Sequence, residues 1–238
     1  MKYVGIDLGG TNIAVGIVDE NGTILRQCSS PTLPKNGAKD VIHRIADAVL
    51  KLLVETNTPQ SDIASVGIGC PGAIDKSTGT ILAACNLAFE NVPIVTELKE
   101  LLKLPVYIEN DANCAALAEA TVGAAAHSQS CVMITLGTGI GGAIIINDKI
   151  YDGFNGLCGE FGHMTICADG ELCSCGRRGC LETYASATAL ARDACRTAKK
   201  MPSSLLWSFR ERDGSFSART VFEAAKQGDA TAQNVLDQ

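Results

Sequence analysis

The sequence predicts an α/β protein built from two related lobes. Short apolar runs of buried-strand length alternate with stretches of helical periodicity, the pattern of strands joined through covering helices. A strand, a glycine turn and a second strand occur twice, at 3–18 and at 131–146, which points to two related lobes with a cleft between them. With 238 residues, 46% of them hydrophobic, the chain can bury a substantial core in one or two domains.

Taken in order, the β-branched runs 3–8 and 13–18 flank Gly9-Gly10-Thr11-Asn12, and Asp19-Glu20-Asn21-Gly22 leads into Thr23-Ile24-Leu25, so a β-meander opens the chain. From Asp40, placed as N-cap, Val41, Ile42, Ile45, Ala46, Val49, Leu52 and Leu53 recur at helical spacing to about Glu55. Residues 65–69 and 105–109 read as buried strands, separated by a turn-rich segment and a helical stretch at about 94–103. An Ala-rich helix follows over 111–122, with Gly123 as a left-handed C-cap. Two further runs, Cys131–Leu136 and Ala143–Ile146, enclose Gly137-Thr138-Gly139-Ile140-Gly141-Gly142. Residues 153–182 are rich in Gly and Cys without periodicity, and helical patterns resume at 183–200 and 218–238. The last pattern stops at Gln238 without cap or breaker, so the sequence is expected to lack its C-terminal part.

Composition narrows the function. Acidic residues outnumber basic ones 26 to 20, for a formal net charge of −6, and no basic run is denser than Arg177-Arg178 or Lys199-Lys200, so a nucleic-acid partner is disfavoured and none is expected. No apolar stretch approaches a membrane span, and an acidic residue with two glycines stands where a signal peptide needs an apolar core. A cytoplasmic protein without a membrane partner is expected. Of the 11 cysteines, the scattered Cys28, Cys70, Cys85, Cys114, Cys131, Cys158, Cys167 and Cys195 read as small core residues, and the rest cluster.

Each glycine turn follows a buried strand and offers backbone N–H groups unscreened by a Cβ, as a phosphate chain requires. Asp7, just before the first turn, is the natural partner of Mg²⁺ through water. Asp111 sits at a strand-to-helix junction, where amide dipoles favour its ionised form; it serves there as an N-cap or as the carboxylate that phosphoryl transfer to a hydroxyl needs. His163, Cys173, Cys175 and Cys180 offer one imidazole and three thiolates within eighteen residues, the donor set of a closed, structural Zn²⁺ site.

The segment DLGGTNIAVGIVD at 7–19 and LGTGIGGAII at 136–145 resemble the two phosphate motifs of the actin, hexokinase and heat-shock-chaperone ATPase superfamily. ENDANCAALAE at 109–119, GEFGHMTI at 159–166 and CSCGRRGCLE at 173–182 resemble the ROK family of bacterial sugar kinases, and GCLETYAS at 179–186 is most similar to its glucokinases. The resemblance covers essentially the whole chain. It implies a two-lobed actin/hexokinase-like (ribonuclease H-like) ATPase fold, with a small N-terminal lobe at 1–117 and a large lobe at 118–238 that is incomplete at its C-terminus. It implies ATP with Mg²⁺ held through Asp7, Gly9, Gly10, Thr11, Asn12, Gly137, Thr138, Gly139 and Gly141. It makes Asp111 the base, and Gly72, Asn86, Asn110, Glu160, His163 and Glu182, together with Asp111, the residues that meet a hexose. The zinc then holds Glu160 and Glu182 against the sugar, with one ring nitrogen of His163 on the metal and the other on a hydroxyl.

These expectations describe a glucokinase that phosphorylates the 6-hydroxyl of glucose, assembled as a homodimer or homotetramer. Alternatives within the same family are a kinase for N-acetylmannosamine or N-acetylglucosamine and a non-catalytic sugar-binding member. A regulator would need a helix-turn-helix ahead of the first strand, and with Tyr3 already in that strand no room for one is expected. Ala14 and Asn86-Leu87-Ala88-Phe89 depart from the glucokinase pattern in ways that bear on sugar preference. Family members also continue into a further strand, an adenosine-binding glycine turn and a long final helix.

Overall fold

The computed structural model describes residues 1–154 and 156–237. The chain forms two compact units, Met1–Val132 with Ile144–Leu157, and Met133–Ala143 with Cys158–Gln238; Asn155 and Gln238 lie outside the described residues.

In the first unit the opening meander is β1 (Lys2–Leu8), β2 (Asn12–Asp19) and β3 (Ile24–Pro31). A parallel half is added by β4 (Ile63–Cys70) and β8 (Val106–Asn110), giving a five-stranded sheet of order β3-β2-β1-β4-β8. Period-two alternation puts Val4, Ile6 and Leu8 of β1 and Ile13, Val15 and Ile17 of β2 in the core, where α1 (Ala38–Glu55) and α2 (Ile94–Leu102) cover them. The seven apolar residues picked out by periodicity in α1 are all buried, and each of them except Ala46 contributes about 1.5–3 kcal/mol through removal from water. Asp40 is not its N-cap: Gly37 holds that place, and Asp40 lies in the first turn, bonded to Arg44 Nε (2.6 Å) and Asn36 Nδ2 (3.2 Å).

The opposite face of the sheet carries a row of glycines that ends at Tyr107. Gly16, Gly5 and Gly67 are cross-strand partners in one row, and a Cβ on Gly5 or Gly67 would meet nothing within 4 Å. This face carries α3 (Asp111–Thr121), which starts beside Gly69 and packs on β4 and β8. Gly123 is not a left-handed C-cap; Val122 ends the helix, and the Glu119 carboxylate accepts from Ala124 N–H (2.7 Å) in the turn that follows.

The segment read as turn-rich is a second antiparallel meander, β5 (Ala73–Asp75), β6 (Thr80–Ala84) and β7 (Phe89–Val92), whose Ile81, Ala84, Phe89 and Val92 join the same core. These strands are too short for alternation to register. A third sheet holds β9 (Cys131–Leu136), β10 (Ile140–Ile146) and β11 (Lys149–Ile150).

In the second unit, Ser186 splits the expected 183–200 helix into α4 (Glu182–Ala185) and α5 (Ala187–Ala198), its hydroxyl capping Ala189 N–H at 3.1 Å. The pattern at 218–238, which runs into the undescribed Gln238, is two helices, α7 (Ala218–Lys226) and α8 (Ala230–Leu236), broken at left-handed Gly228 and recapped by Asp229. With α6 (Leu206–Asp213), where Leu206 and Phe209 are buried, α5, α7 and α8 form a small core of their own. Of the cysteines read as core, only Cys70 is fully buried, while Cys85 and Cys167 are exposed.

The two faces of the sheet respond differently to substitution. Ile68→Ala is expected to lower unfolding free energy by about 2–5 kcal/mol by leaving a core cavity. Gly67→Ala, one residue away, is expected to leave it unchanged or raise it by up to about 1 kcal/mol. Urea unfolding midpoints of the two variants check this.

Candidate active site

The first glycine turn leaves β1 at Leu8 and enters β2 at Asn12, so Asn12 belongs to the strand rather than the turn. Its carbonyls are tied down: Gly9 N–H donates to Asn12 O (3.0 Å), Thr32 N–H to Thr11 O (2.9 Å) and Thr32 Oγ1 to Gly9 O (2.7 Å). The N–H groups of Gly10 and Thr11 have no partner among the described residues and remain free for an anion. Asn86 flanks this turn so closely that a Cβ on Gly10 would stand 2.8 Å from its carbonyl oxygen. Gly72, at φ 93°, fits against Ala83 on the strand leading to Asn86. The structure therefore brings Gly10 and Asn86 together, with Gly72 supporting the segment that carries Asn86.

Register places the acidic residues. Asp7 is opposite Gly69, and Gly69 is opposite Glu109, so the ends of β1, β4 and β8 lie in line. At that edge Asn110 is the N-cap of α3, its Oδ1 accepting from Ala112 N–H (2.9 Å) and Asn113 N–H (3.2 Å). Asp111 is the first helical residue, exposed, with Oδ1 on Ala112 N–H at 2.8 Å. Capping is thus carried by Asn110, and the Asp111 carboxylate keeps an oxygen facing solvent. Desolvation, and then the charge of Asp111, raise the Asp7 carboxyl above the usual carboxylate range. Burial, aided by the same charge, pushes the Cys70 thiol up to about 12, and burial with Glu109 and Asp111 pushes Cys114 to about 11. Both thiols stay protonated and unreactive.

In the second unit the glycine turn is Gly137–Gly139 alone, because β10 begins at Ile140 and takes Gly141 with it. Gly137 N–H closes the turn on Gly139 O (2.9 Å), and Thr138 and Gly139 N–H have no partner among the described residues. The helices behind it brace it: Ala187 N–H donates to Gly137 O (2.9 Å) and Thr188 Oγ1 to Thr138 O (2.7 Å). Glu182 Oε2 accepts the Ile140 N–H at 3.0 Å and lies where a Cβ on Gly139 would be. Glu182 is therefore seated on the glycine turn. The 159–163 loop packs on β10, its Gly159 and Gly162 fitting against Gly142 and Ile140, which holds Glu160 and His163 beside the same strand.

His163, Cys173, Cys175 and Cys180 converge, with their ligand atoms all within 4.8 Å of one another. Cys175 and Cys180 sulfurs are 3.7 Å apart, and Cys173 Sγ is 3.5 Å from His163 Nδ1. Zn–S bonds of about 2.3 Å at tetrahedral angles place sulfurs about 3.8 Å apart, so the spacing fits zinc. The Nε2 of His163 points the other way, 4.0 Å from Glu160 Oε2. The backbone N–H and then the side chain of Arg177 pull the Cys175 thiol down, toward the thiolate a metal takes, while burial and its neighbours push Cys180 up. Two antiparallel bridges, Thr165 with Cys180 and Leu172 with Arg178, frame the knuckle.

Thr32, Ala187 and Thr188 carry no motif in the sequence; they act through backbone geometry that only the fold supplies. Lys76, Glu109, Asn113 and Asp152 form a hydrogen-bonded group around the start of α3, and of these only Glu109 and Asn113 fall within a recognisable motif.

The antiparallel-then-parallel sheet, with glycine turns opening each strand–turn–strand unit, defines an actin/hexokinase-like fold, and its neighbours among solved structures agree. The chain belongs to the ROK family, whose model matches residues 3–238. It is 41% identical to a glucokinase of Halalkalibacterium halodurans over 99% of this chain and 72% of that protein. It is 40% identical to a glucokinase of Thermotoga maritima over 100% of this chain and 74% of the relative. The crystal structure of a ROK family glucokinase from Streptomyces griseus in complex with glucose and AMPPNP is similar at a TM-score of 0.83 and 38% identity, covering 99% of this chain and 74% of that one.

The seat of Glu182 makes the turn sensitive at one position only. Gly139→Ala is expected to displace the carboxylate from Ile140 N–H and lower stability by about 1–3 kcal/mol. Gly137→Ala, whose Cβ meets nothing within 4 Å, is expected to change it far less. Thermal melting followed by circular dichroism separates the two.

Proposed function

We propose that this protein is a glucokinase, transferring the γ-phosphoryl group of ATP to the 6-hydroxyl of glucose. The observation that carries this reading is the Asn110–Asp111 corner: Asn110 caps the helix, so Asp111 keeps one carboxylate oxygen open at the strand edge beside Asp7 and the first glycine turn. The glucokinase relatives at 40–41% identity support it.

Asp111 accepts the proton of the 6-hydroxyl as that oxygen attacks the γ-phosphorus and ADP leaves. The free N–H groups of the Gly9–Asn12 and Gly137–Gly139 segments, with Thr11 and Thr138, receive phosphate oxygens, and Gly141 keeps the second approach open. Mg²⁺ would supply charge neutralisation on the phosphates. Asp7 would hold it through water, at a place where burial and then the Asp111 charge disfavour an ionised carboxylate without a cation beside it. Asn110, Glu160, His163 and Glu182, with Gly72 and Asn86, pair with the sugar hydroxyls, so an analogue lacking one leaves its partner unpaired. His163, Cys173, Cys175 and Cys180 would hold a zinc ion that would fix the loop carrying Glu160 and the start of α4 at Glu182, two residues after Cys180.

A coupled ADP-release assay over a hexose panel tests the activity, with glucose expected to support the fastest turnover. Asp111→Asn keeps the shape and removes the proton acceptor, and is expected to lower kcat about 10²–10⁴-fold with far less effect on glucose affinity. Retention of kcat within a few-fold would reduce Asp111 to a first-turn helix residue. Metal analysis should find about one zinc per chain. Zinc-free protein that binds glucose as tightly as before would overturn the structural role of the metal.

A further inference from the structure

The first unit contains a charged group that the proposed reaction does not use. Lys76, just after β5, donates to Glu109 Oε2 (2.6 Å) and to both carboxylate oxygens of Asp152 (2.7 and 2.8 Å). The other oxygen of Glu109 accepts the backbone N–H of Asn110 (2.8 Å) and the side-chain amide of Asn113 (3.0 Å). Asn113 is buried and also reaches Asp152 Oδ1 at 3.3 Å. Three separate segments, the β5–β6 turn, the β8–α3 corner and the strand exit after β11, are thereby tied at the residue preceding Asn110-Asp111.

We propose that Glu109 is a positioning residue for Asp111, and that Lys76 orients Glu109 for this task. The inference rests on Asp111 being the proton acceptor. One oxygen of Glu109 fixes the peptide N–H at the strand-to-helix switch and the first turn of α3 through Asn113, which determines where the Asp111 backbone sits. Lys76 fixes the other oxygen, so the carboxylate plane cannot rotate without breaking a charge-assisted bond. Only a carboxylate suits this place: an amide has one acceptor oxygen, and turned to serve Asn110 and Asn113 it would present its NH₂ to the Lys76 ammonium, donor against donor. Glu109 is only 20% exposed and Lys76 37%, which shields the pair from full solvent screening. Desolvation alone would lower the Lys76 ammonium, yet its bonds to Asp152 and Glu109 hold it above the ordinary lysine value, so it stays charged. A misplacement of about 1 Å at a reacting group costs on the order of 10²-fold in rate, which is the scale on which such a brace acts.

The test is a double-mutant cycle on the full chain, with kcat and the KM values for glucose and ATP measured for Glu109→Gln, Lys76→Met, Asp111→Asn and the two pairs with Asp111→Asn. Glu109→Gln and Lys76→Met are each expected to lower kcat about 10–100-fold with little change in the KM for ATP. In the Asp111→Asn background each should lower it by less than about twofold further, because the group they position is already gone. If Asp111→Asn lowers kcat but Lys76→Met and Glu109→Gln lower it by the same factor with or without Asp111, the brace acts elsewhere and the proposal falls alone. Retention of kcat within about twofold in both single variants also overturns it. If Asp111→Asn itself leaves kcat within a few-fold, the base reading fails first and takes this one with it. Lys76 is partly exposed and outside the core, so Lys76→Met decides the matter should Glu109→Gln not fold.

Discussion

Parallel pairing of β1 with β4 and of β4 with β8 is the constraint on which the first unit depends. Parallel strands leave a sheet on the same edge, so the registers Asp7 with Gly69 and Gly69 with Glu109 put two carboxylate-bearing exits at one edge, on either side of β4. The Asp7 carboxyl is raised there first by burial and then by the like charge of Asp111. Everything chemical in this unit then follows from how the chain leaves that edge: into a glycine turn after β1, and into a capped helix after β8.

The second unit solves a similar problem with less regular structure. Its glycine turn is held from behind by the first residues of α5 and by Glu182, and its cysteine knuckle ends where α4 begins. Local backbone bonds there do what sheet register does in the first unit. The knuckle's framework is two isolated bridges and a set of local backbone bonds, and within it His163, Cys173, Cys175 and Cys180 converge.

How much of this was legible depended on the length of the signal. The meander, α1 and the parallel strands were readable because each sustains its period over several residues, as the unbroken buried stripe of α1 shows. The β5–β7 meander escaped because strands of three to five residues carry too few alternations. The breaks at Ser186 and Gly228 escaped because apolar spacing continues on both sides and only backbone conformation records the interruption. At the site, the legible residues are those within motifs, and the structure groups His163 with its three cysteines, Gly10 with Asn86, and Asp7 with Asp111. Thr32, Thr188 and Lys76 were invisible because their partners are backbone atoms or distant side chains. The seat of Glu182 on Ile140 N–H was equally unreadable, since nothing in the spacing of 140 and 182 announces it.

The buried Thr32 links the first glycine turn to the order in which the unit assembles. The carbonyls of Gly9 and Thr11 are satisfied only when β3 has folded back far enough for Thr32 to reach them. The β1-β2-β3 meander closes through short local loops, whereas Val4 meets Val66 only after a long excursion through α1, and closure entropy grows by about 0.6 kcal/mol for each doubling of loop length. Loop entropy therefore favours completing the cradle at Gly9–Asn12 ahead of the parallel strands, and the Asp111 corner, which needs both β4 and β8, is the later arrival.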